Sequence, residues 1–156
     1  MLRLGLMAFA LLVGTQPAGA SDPLSFEVIK EVDLSKEQIF DRALLWLAST
    51  GRSSKDVVEY KDKTLGTIVG NSTTEIVLQG PVVSMKIPVK FGLKIDTKEK
   101  RYRMTFGQVR VTIGGNERAI EDANRNALEP LVITKFNDLA ISLQSQLSKA
   151  DRDEAW

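Results

Sequence analysis

The sequence predicts an α+β domain in which two helices pack on one face of an antiparallel sheet. Three observations support this prediction. One long segment alternates apolar and polar residues without interruption, which is typical of a strand with one buried and one solvated face. A capping box precedes a first helical pattern, and an apolar stripe of helical period runs near the C-terminus. The 156 residues suffice for one core, so we expect a single domain over residues 21–148.

The first twenty residues have the pattern of a secretory signal peptide. Arg3 gives a positive start, an apolar run follows, and Ala18-Gly19-Ala20 is a cleavage signature ahead of Ser21. The apolar run is shorter than the roughly 20 residues that a membrane-spanning helix needs. We therefore predict cleavage after Ala20, a periplasmic or secreted mature protein, and no transmembrane segment after cleavage.

The start of the mature chain predicts a strand followed by a helix. Residues 26–34 alternate roughly with the period of a strand. Ser35 and Gln38 then have the spacing of a capping box, in which each side chain bonds the backbone N–H of the other residue. Gly51 is a natural end for the helix, because the left-handed backbone after a helix favours glycine.

Three short strands are predicted next. Residues 55–61 and 65–71 carry strand patterns on either side of a polar turn, so we expect them to form a hairpin. Residues 75–79 form a further short strand, ended by Gly80-Pro81.

The clearest pattern is a long hairpin. Residues 83–95 alternate without a miss, residues 96–100 are interpreted as a turn, and residues 102–113 alternate again. In the second strand the apolar positions change from even to odd numbers at Gly107-Gln108. One extra residue there keeps both halves of the strand facing the core, so the slip predicts a β-bulge.

The register of this hairpin follows from the length of its turn. Taking Ile95 as the partner of Tyr102 places Lys94 opposite Arg103, a pair of like charges that costs stability. The same register brings Pro88 to the level of the bulge, where its missing N–H is tolerated.

The remaining segments predict the C-terminal helix. Gly114-Gly115 is expected to end the sheet, and residues 116–128 are polar and compatible with a helix. Pro130 is suited to the first position of a final helix, whose apolar stripe runs to Leu147. Residues 149–156 form a charged C-terminal tail.

Composition excludes several catalytic classes. The chain contains no His and no Cys, which removes thiol nucleophiles, Ser-His-Asp triads and imidazole or thiolate zinc sites. Lys plus Arg number 21 and Asp plus Glu 20, so loss of Arg3 with the signal peptide leaves the mature chain near neutral. Carboxylate chemistry, a Ser-Lys pair or no catalysis remain. Because no motif supports the first two, we expect a protein that is not an enzyme and has no cofactor and no metal site.

Several segments resemble those of one protein family. They are Phe40 to Leu47, Ser53 to Val58, Asp62 to Gly70, and Arg101-Tyr102-Arg103. The chain resembles an exported bacterial family of unknown function with a TATA-binding-protein-like (TBP-like) fold. The resemblance implies a curved antiparallel sheet with helices on one side. It implies no activity and supplies no functional residues.

Basic residues on the solvated side of the long hairpin are the candidate binding residues. They are Lys86, Lys90, Lys94, Arg101 and Arg103. Such a surface could bind a lipid headgroup, a phosphorylated glycan or an acidic partner. The alternative is a solvated face whose lysines deter edge pairing, with Asp96 and Glu99 neutralising part of its charge.

Neither nucleic acid binding nor calcium binding is favoured over ordinary solvent exposure. The solvated face has no row of aromatic side chains and the mature chain is near neutral, so we expect no nucleic acid partner. Glu117, Glu121 and Asp122 could place carboxylates on one side of a helix, but they lack a calcium-loop pattern and predict a solvated helix face.

These observations predict an exported, non-enzymatic binding module that uses the sheet face without helices, with an anionic ligand as the candidate partner. The competing hypothesis is a structural or assembly protein. In that case a sheet edge or the C-terminal helix docks on another protein of the cell envelope.

Overall fold

The computed structural model describes residues 22–50 and 57–149. The predicted signal peptide, the helix end at Gly51 and residues 150–156 of the predicted tail lie outside the described residues.

The described residues form six strands, two helices and one 3₁₀ turn, which confirms the predicted α+β class. In chain order they are β1 (Phe26–Glu31), α1 (Lys36–Thr50), β2 (Val57–Asp62), β3 (Thr67–Leu78), β4 (Met85–Lys98), β5 (Arg101–Ile113), β6 (Asn116–Ala119), the 3₁₀ turn (Ile120–Asp122) and α2 (Arg125–Lys149).

All pairings in the sheet are antiparallel, in the order β2-β3-β4-β5. Two strands share the outer edge of β5. β1 pairs along residues 101–106 and β6 along residues 110–113. The long strands β3, β4 and β5 therefore form the centre of the sheet, and β2 lies at the opposite edge.

Both helices pack on one face of the sheet, as predicted. Every second residue of β4 from Ile87 to Ile95 is buried, and these side chains meet the apolar stripes of the helices. Phe136 of α2 stacks on Phe106 with ring centroids 4.4 Å apart and meets the edge of Phe91 at 5.0 Å. Aromatic contacts of this kind add to the stabilisation from buried area.

The capping box at the start of α1 forms as predicted. The backbone N–H of Gln38 donates to Ser35 Oγ at 3.2 Å, and the backbone N–H of Ser35 donates to Gln38 Oε1 at 3.0 Å. The backbone N–H of Lys36 donates to Glu99 Oε2 at 3.1 Å. Glu99 therefore ties the end of the β4–β5 hairpin to the N-terminus of α1, where a carboxylate is favoured.

The predicted bulge is also confirmed. Lys90 pairs with Arg110 and Gly92 with Gly107, so Gln108 and Val109 together oppose the single residue Phe91. Gln108 has a φ of 52°, the left-handed backbone of the first residue in one bulge type. Phe106 and Val109 are both buried, on either side of the bulge.

The predicted register of the β4–β5 hairpin is wrong by two residues. Ile95 pairs with Met104, because the turn consists of Glu99 and Lys100 alone and the strands continue past residues 96–98. Arg103 therefore lies opposite Asp96 instead of Lys94. The polar residues 96 and 98 belong to the solvated face, where polarity does not distinguish strand from turn.

Pro88 is also displaced from its predicted level. It pairs with Glu75 of β3, whereas the bulge lies opposite Phe91. The predicted strands over 65–71 and 75–79 are parts of the single strand β3, because the intervening polar residues 72–74 pair with β4 throughout. Thr and Ser are tolerated on a half-solvated strand.

The segment after β5 differs most from the prediction. Gly114 and Gly115 have φ values of 57° and 78°, which are typical of a two-residue hairpin turn, and they lead into β6 instead of ending the sheet. α2 begins at Arg125, so Pro130 lies inside the helix and is not its first residue. The missing N–H of Pro130 would have bonded the carbonyl of Asn126, which belongs to an exposed residue near the helix start.

Candidate functional site

The sheet has one face turned away from α1 and α2, here called the helix-free face. All five predicted basic residues lie on it. Lys86, Lys90 and Lys94 alternate with buried residues of β4, and Arg101 and Arg103 alternate with buried residues of β5. The face is not uniformly positive, because acidic residues from four strands (β1, β3, β4 and β6) lie among these cations.

Glu117 of β6 neutralises the middle of the helix-free face. Lys90 and Arg110 are direct cross-strand partners, and Glu117 binds both of them. Its Oε2 lies 2.5 Å from Lys90 Nζ, and its Oε1 lies 2.8 Å from Arg110 Nε. The hydrogen bonds from Lys90 and Arg110 hold the pKa of Glu117 below its ordinary value. The prediction that Glu117 lies on a solvated helix face is therefore wrong. Glu117 lies on strand β6 and pairs with two cations of the sheet.

Asp96 neutralises a second pair of predicted cations. Arg103 Nη2 lies 3.0 Å from Asp96 Oδ2, and Lys94 Nζ lies 3.3 Å from Asp96 Oδ1. Thr67 donates a further hydrogen bond to Asp96 Oδ1 at 3.0 Å. Partial burial opposes ionisation of Asp96, but the hydrogen bonds from Arg103, Thr67 and Lys94 outweigh it and hold the pKa below its ordinary value.

Lys86 lies far from these clusters, near the β3–β4 turn. Its Nζ is 3.6 Å from Glu75 Oε1, and both side chains are exposed. An exposed pair at this distance contributes little to stability.

Arg101 has a different environment. Its direct cross-strand partner is Lys98, and among the described residues neither side chain has a carboxylate within 4.0 Å. Glu31 is the Cα partner of Arg101 on the other side, but it makes no ion pair with Arg101. Sequence reasoning missed Lys98, because it assigned residues 96–100 to a turn.

A shallow depression of about 230 Å³ lies at this end of the helix-free face. Its lining consists of Ile29, Asp96, Lys98, Arg101, Tyr102 and Arg103. We call Ile29, Lys98, Arg101 and Arg103 the hairpin-end site. It combines two cations without a carboxylate partner, one cation held by Asp96, and one exposed apolar side chain.

The helix side of the sheet holds a second, apolar cleft. It lies between both helices and strands β2, β3 and β4, and its lining includes Trp46, Val58, Gly70, Phe91 and Leu139. No charged residue lines it, so its chemistry differs from that of the hairpin-end site.

Two further features are absent from the described ranges 22–50 and 57–149. They contain no group of three or more Asp or Glu side chains close enough to hold a metal ion. Within the same ranges no helix has both the length and the apolar character needed to cross a membrane.

The antiparallel sheet, its open face and the two helices on its other side define an α+β domain of the TBP-like class. Residues 26–112 match the family described as a domain of unknown function (DUF4468) with TBP-like fold, and the chain belongs to this family. The resemblance stated from the sequence is thereby confirmed.

Solved structures that share the fold include the following two. A DUF4468 family protein from Bacteroides ovatus has a TM-score of 0.69 at 14% identity, covering 80% of this chain and 86% of its own. A TBP-like protein from Parabacteroides distasonis has a TM-score of 0.61 at 19% identity, covering 78% and 93%. No curated protein matches the chain. Likeness at these identities establishes the fold alone.

Proposed function

We propose that the protein is an exported, non-enzymatic binding module of the bacterial cell envelope that binds an anionic ligand at the hairpin-end site. The observation that carries the proposal is the cross-strand pair of Lys98 and Arg101, which has no carboxylate within 4.0 Å among the described residues.

A similar cross-strand pair of cations in the middle of the sheet is neutralised within the protein. Lys90 and Arg110 are also cross-strand cations, and Glu117 bridges them. Like charges directly opposite each other are destabilising unless a counter-charge is present. At Lys98 and Arg101 an anion from outside would take the place that Glu117 takes in the middle of the face. Of the five basic residues predicted from the sequence, the proposal therefore uses only those at the hairpin end, Arg101 and Arg103.

The chemistry of the site favours binding over catalysis. Its basic side chains present only hydrogen-bond donors, and the chain contains no His or Cys to transfer a proton or attack a ligand. Arginine presents a planar fork of donors that suits phosphate and carboxylate groups. Residues Lys98 and Arg101 would therefore bind the charged group, and no bond of the ligand would be broken.

Export rests on residues 1–20, whose pattern is that of a secretory signal peptide. The intact mass of protein purified from its native host tests it. A mass that matches a chain starting at Ser21 supports export, and a mass that includes Met1 to Ala20 contradicts it.

The binding proposal is tested with inorganic phosphate at low ionic strength, by following amide shifts in NMR spectra of the protein. In wild type we expect the amide signals of Lys98 and Arg101 to shift. The double variant Lys98→Gln/Arg101→Gln should bind phosphate at least about tenfold more weakly. Lys90→Gln/Arg110→Gln is the matched control, since it also removes two cross-strand cations and should keep the affinity within about twofold. Equal losses in both double variants would contradict a site at the hairpin end.

The assembly alternative has one structural observation in its favour. β2 lies at the edge of the sheet, and its Val58 and Tyr60 are exposed. An edge of this kind can accept a strand from a partner. If an envelope protein is retained by wild type but not by Val58→Lys/Tyr60→Lys, while phosphate leaves retention unchanged, the alternative is favoured.

A further inference from the structure

We infer that the ligand of the hairpin-end site is an amphiphilic anion, in which a phosphate or carboxylate group carries a short aliphatic chain. This inference rests on the proposed function and adds the class of ligand. Its basis is an exposed apolar side chain placed beside cations that lack a carboxylate partner.

Ile29 provides the apolar surface. It lies on the helix-free face of β1 between Glu27 and Glu31, and it is 60% exposed. The core gains little from an aliphatic residue in this position, because most of the side chain remains in contact with water. Ile29 is the direct cross-strand partner of Arg103, and both residues line the depression.

Arg103 is held in place by carboxylates on two strands. Its Nη2 lies 3.0 Å from Asp96 Oδ2 and its Nε lies 3.9 Å from Glu27 Oε2. Its charge is therefore balanced within the protein, while the methylene groups of its side chain remain apolar. Ile29 and the stem of Arg103 together provide a surface for an aliphatic chain.

Ile29 of β1 and Lys98 of β4 lie on opposite flanks of β5, and Arg101 of β5 lies between them. Arg101 and Lys98 line the depression together with Ile29, so a ligand that reaches across it meets charge at one side and an aliphatic surface at the other. The depression measures about 230 Å³, below the roughly 300–1,000 Å³ of sites for drug-sized ligands. Its size therefore favours a short chain of a few carbon atoms.

Three probes test this inference with the whole mature protein. Butyl phosphate carries an aliphatic chain, glycerol 3-phosphate carries a polar chain of similar length, and inorganic phosphate carries none. A fully buried methylene group improves affinity about fourfold, so partial burial of the butyl chain should lower Kd about threefold to tenfold relative to glycerol 3-phosphate. Amide shifts at Ile29 should accompany the tighter binding.

Two variants separate the apolar surface from the cations. Ile29→Ser should remove the advantage of butyl phosphate and leave the affinity for glycerol 3-phosphate unchanged. Val77→Ser is the matched control, since Val77 is a partly exposed β-branched residue on the same face at the far end of β3, and it should retain the advantage. A melting temperature within about 2 °C of wild type shows that each variant is folded.

The outcomes distinguish the inference from the proposed function. Equal affinities for all three probes would overturn the inference and leave the anion site in place. Absence of binding by every probe at low salt would overturn both. If butyl phosphate binds preferentially, vesicles of phosphatidylcholine with phosphatidic acid then identify the source of such ligands. Binding to them, lost in Ile29→Ser, indicates a lipid headgroup, and failure to bind them indicates a soluble amphiphile.

Discussion

Arg103 donates to Asp96 directly across the β4–β5 hairpin, with 3.0 Å between Nη2 and Oδ2. This pairing decides which cations of the helix-free face are neutralised. Because the turn contains only Glu99 and Lys100, Arg103 meets a carboxylate, and Arg101 meets Lys98. The proposed anion site therefore depends on a register that a turn of different length would change.

Asp96→Asn should make the protein less stable by about 1 kcal/mol at neutral pH, allowing for the exposure of its basic partners. The pKa of Asp96 is lowered in the folded state, so its contribution is present above the ordinary value of 3.8 and is lost as pH falls through the lower folded value. Urea unfolding from pH 7 to pH 2 measures this.

The difference between wild type and Asp96→Asn should therefore shrink below about pH 4. Asp41→Asn is the control, because Asp41 forms an exposed pair with Lys63 at 2.8 Å and should cost less. A difference for Asp96→Asn that stays constant over the whole pH range would refute the pairing as its cause.

Gly66→Ala should be strongly destabilising. A Cβ on Gly66 would lie 2.7 Å from the backbone oxygen of Thr97 and 2.7 Å from Lys36 Cε, and the φ of Gly66 is +74°. Gly115→Ala isolates the backbone effect, since Gly115 has a φ of +78° and a Cβ added there would meet no atom within 4 Å. In denaturant unfolding we expect the free energy of unfolding to fall by about 3 kcal/mol for Gly66→Ala and by about 1 kcal/mol for Gly115→Ala. Equal losses would mean that the contact with Thr97 is unimportant.

Gln108→Gly should stabilise the protein by about 0.5–1 kcal/mol. Gln108 is exposed and has a φ of 52°, a backbone conformation that costs a residue with a Cβ more than glycine. Gln108→Ala keeps the Cβ and should show no gain in thermal or urea unfolding. If both variants lose stability equally, the side chain of Gln108 matters more than its backbone.

Tyr102→Phe tests the contact between the sheet and α2. Tyr102 Oη donates to Gln144 Oε1 at 2.6 Å, and burial raises the pKa of Tyr102 to about 12. We expect a loss of about 1 kcal/mol at pH 7 from the missing hydrogen bond. A raised pKa gives a contribution that is complete below pH 10 and is lost as pH rises to about 12, so wild type should lose stability in this range faster than the variant. Parallel pH profiles would contradict this assignment.

The periodic spacing of apolar residues and the local capping pattern were sufficient to predict much of the fold. The capping box of Ser35 and Gln38 follows from local bonding, and the bulge of Gln108 and Val109 follows from the need to keep apolar residues on one face. The common face of the five basic residues follows from the same alternation.

The partners of those basic residues could not be predicted in the same way. On the solvated face, polar residues occur equally in strands and turns, so alternation did not show that Asp96 and Lys98 continue β4. Glu117 reaches Lys90 only because Gly114-Gly115 forms a hairpin turn, a signal that the polar residues after it obscured. Charge balance on the helix-free face depends on both details.

The most direct test of the anion site is the free energy of unfolding with and without inorganic phosphate, at matched low ionic strength. Without phosphate, Lys98→Gln/Arg101→Gln should be at least as stable as wild type, because two opposed cations have been removed. At a phosphate concentration about ten times the wild-type Kd, wild type should gain about 1.0–1.4 kcal/mol more than the double variant, depending on whether the variant binds tenfold more weakly or not at all. If phosphate stabilises both proteins equally, its effect is that of a general salt, and the hairpin-end site does not bind anions.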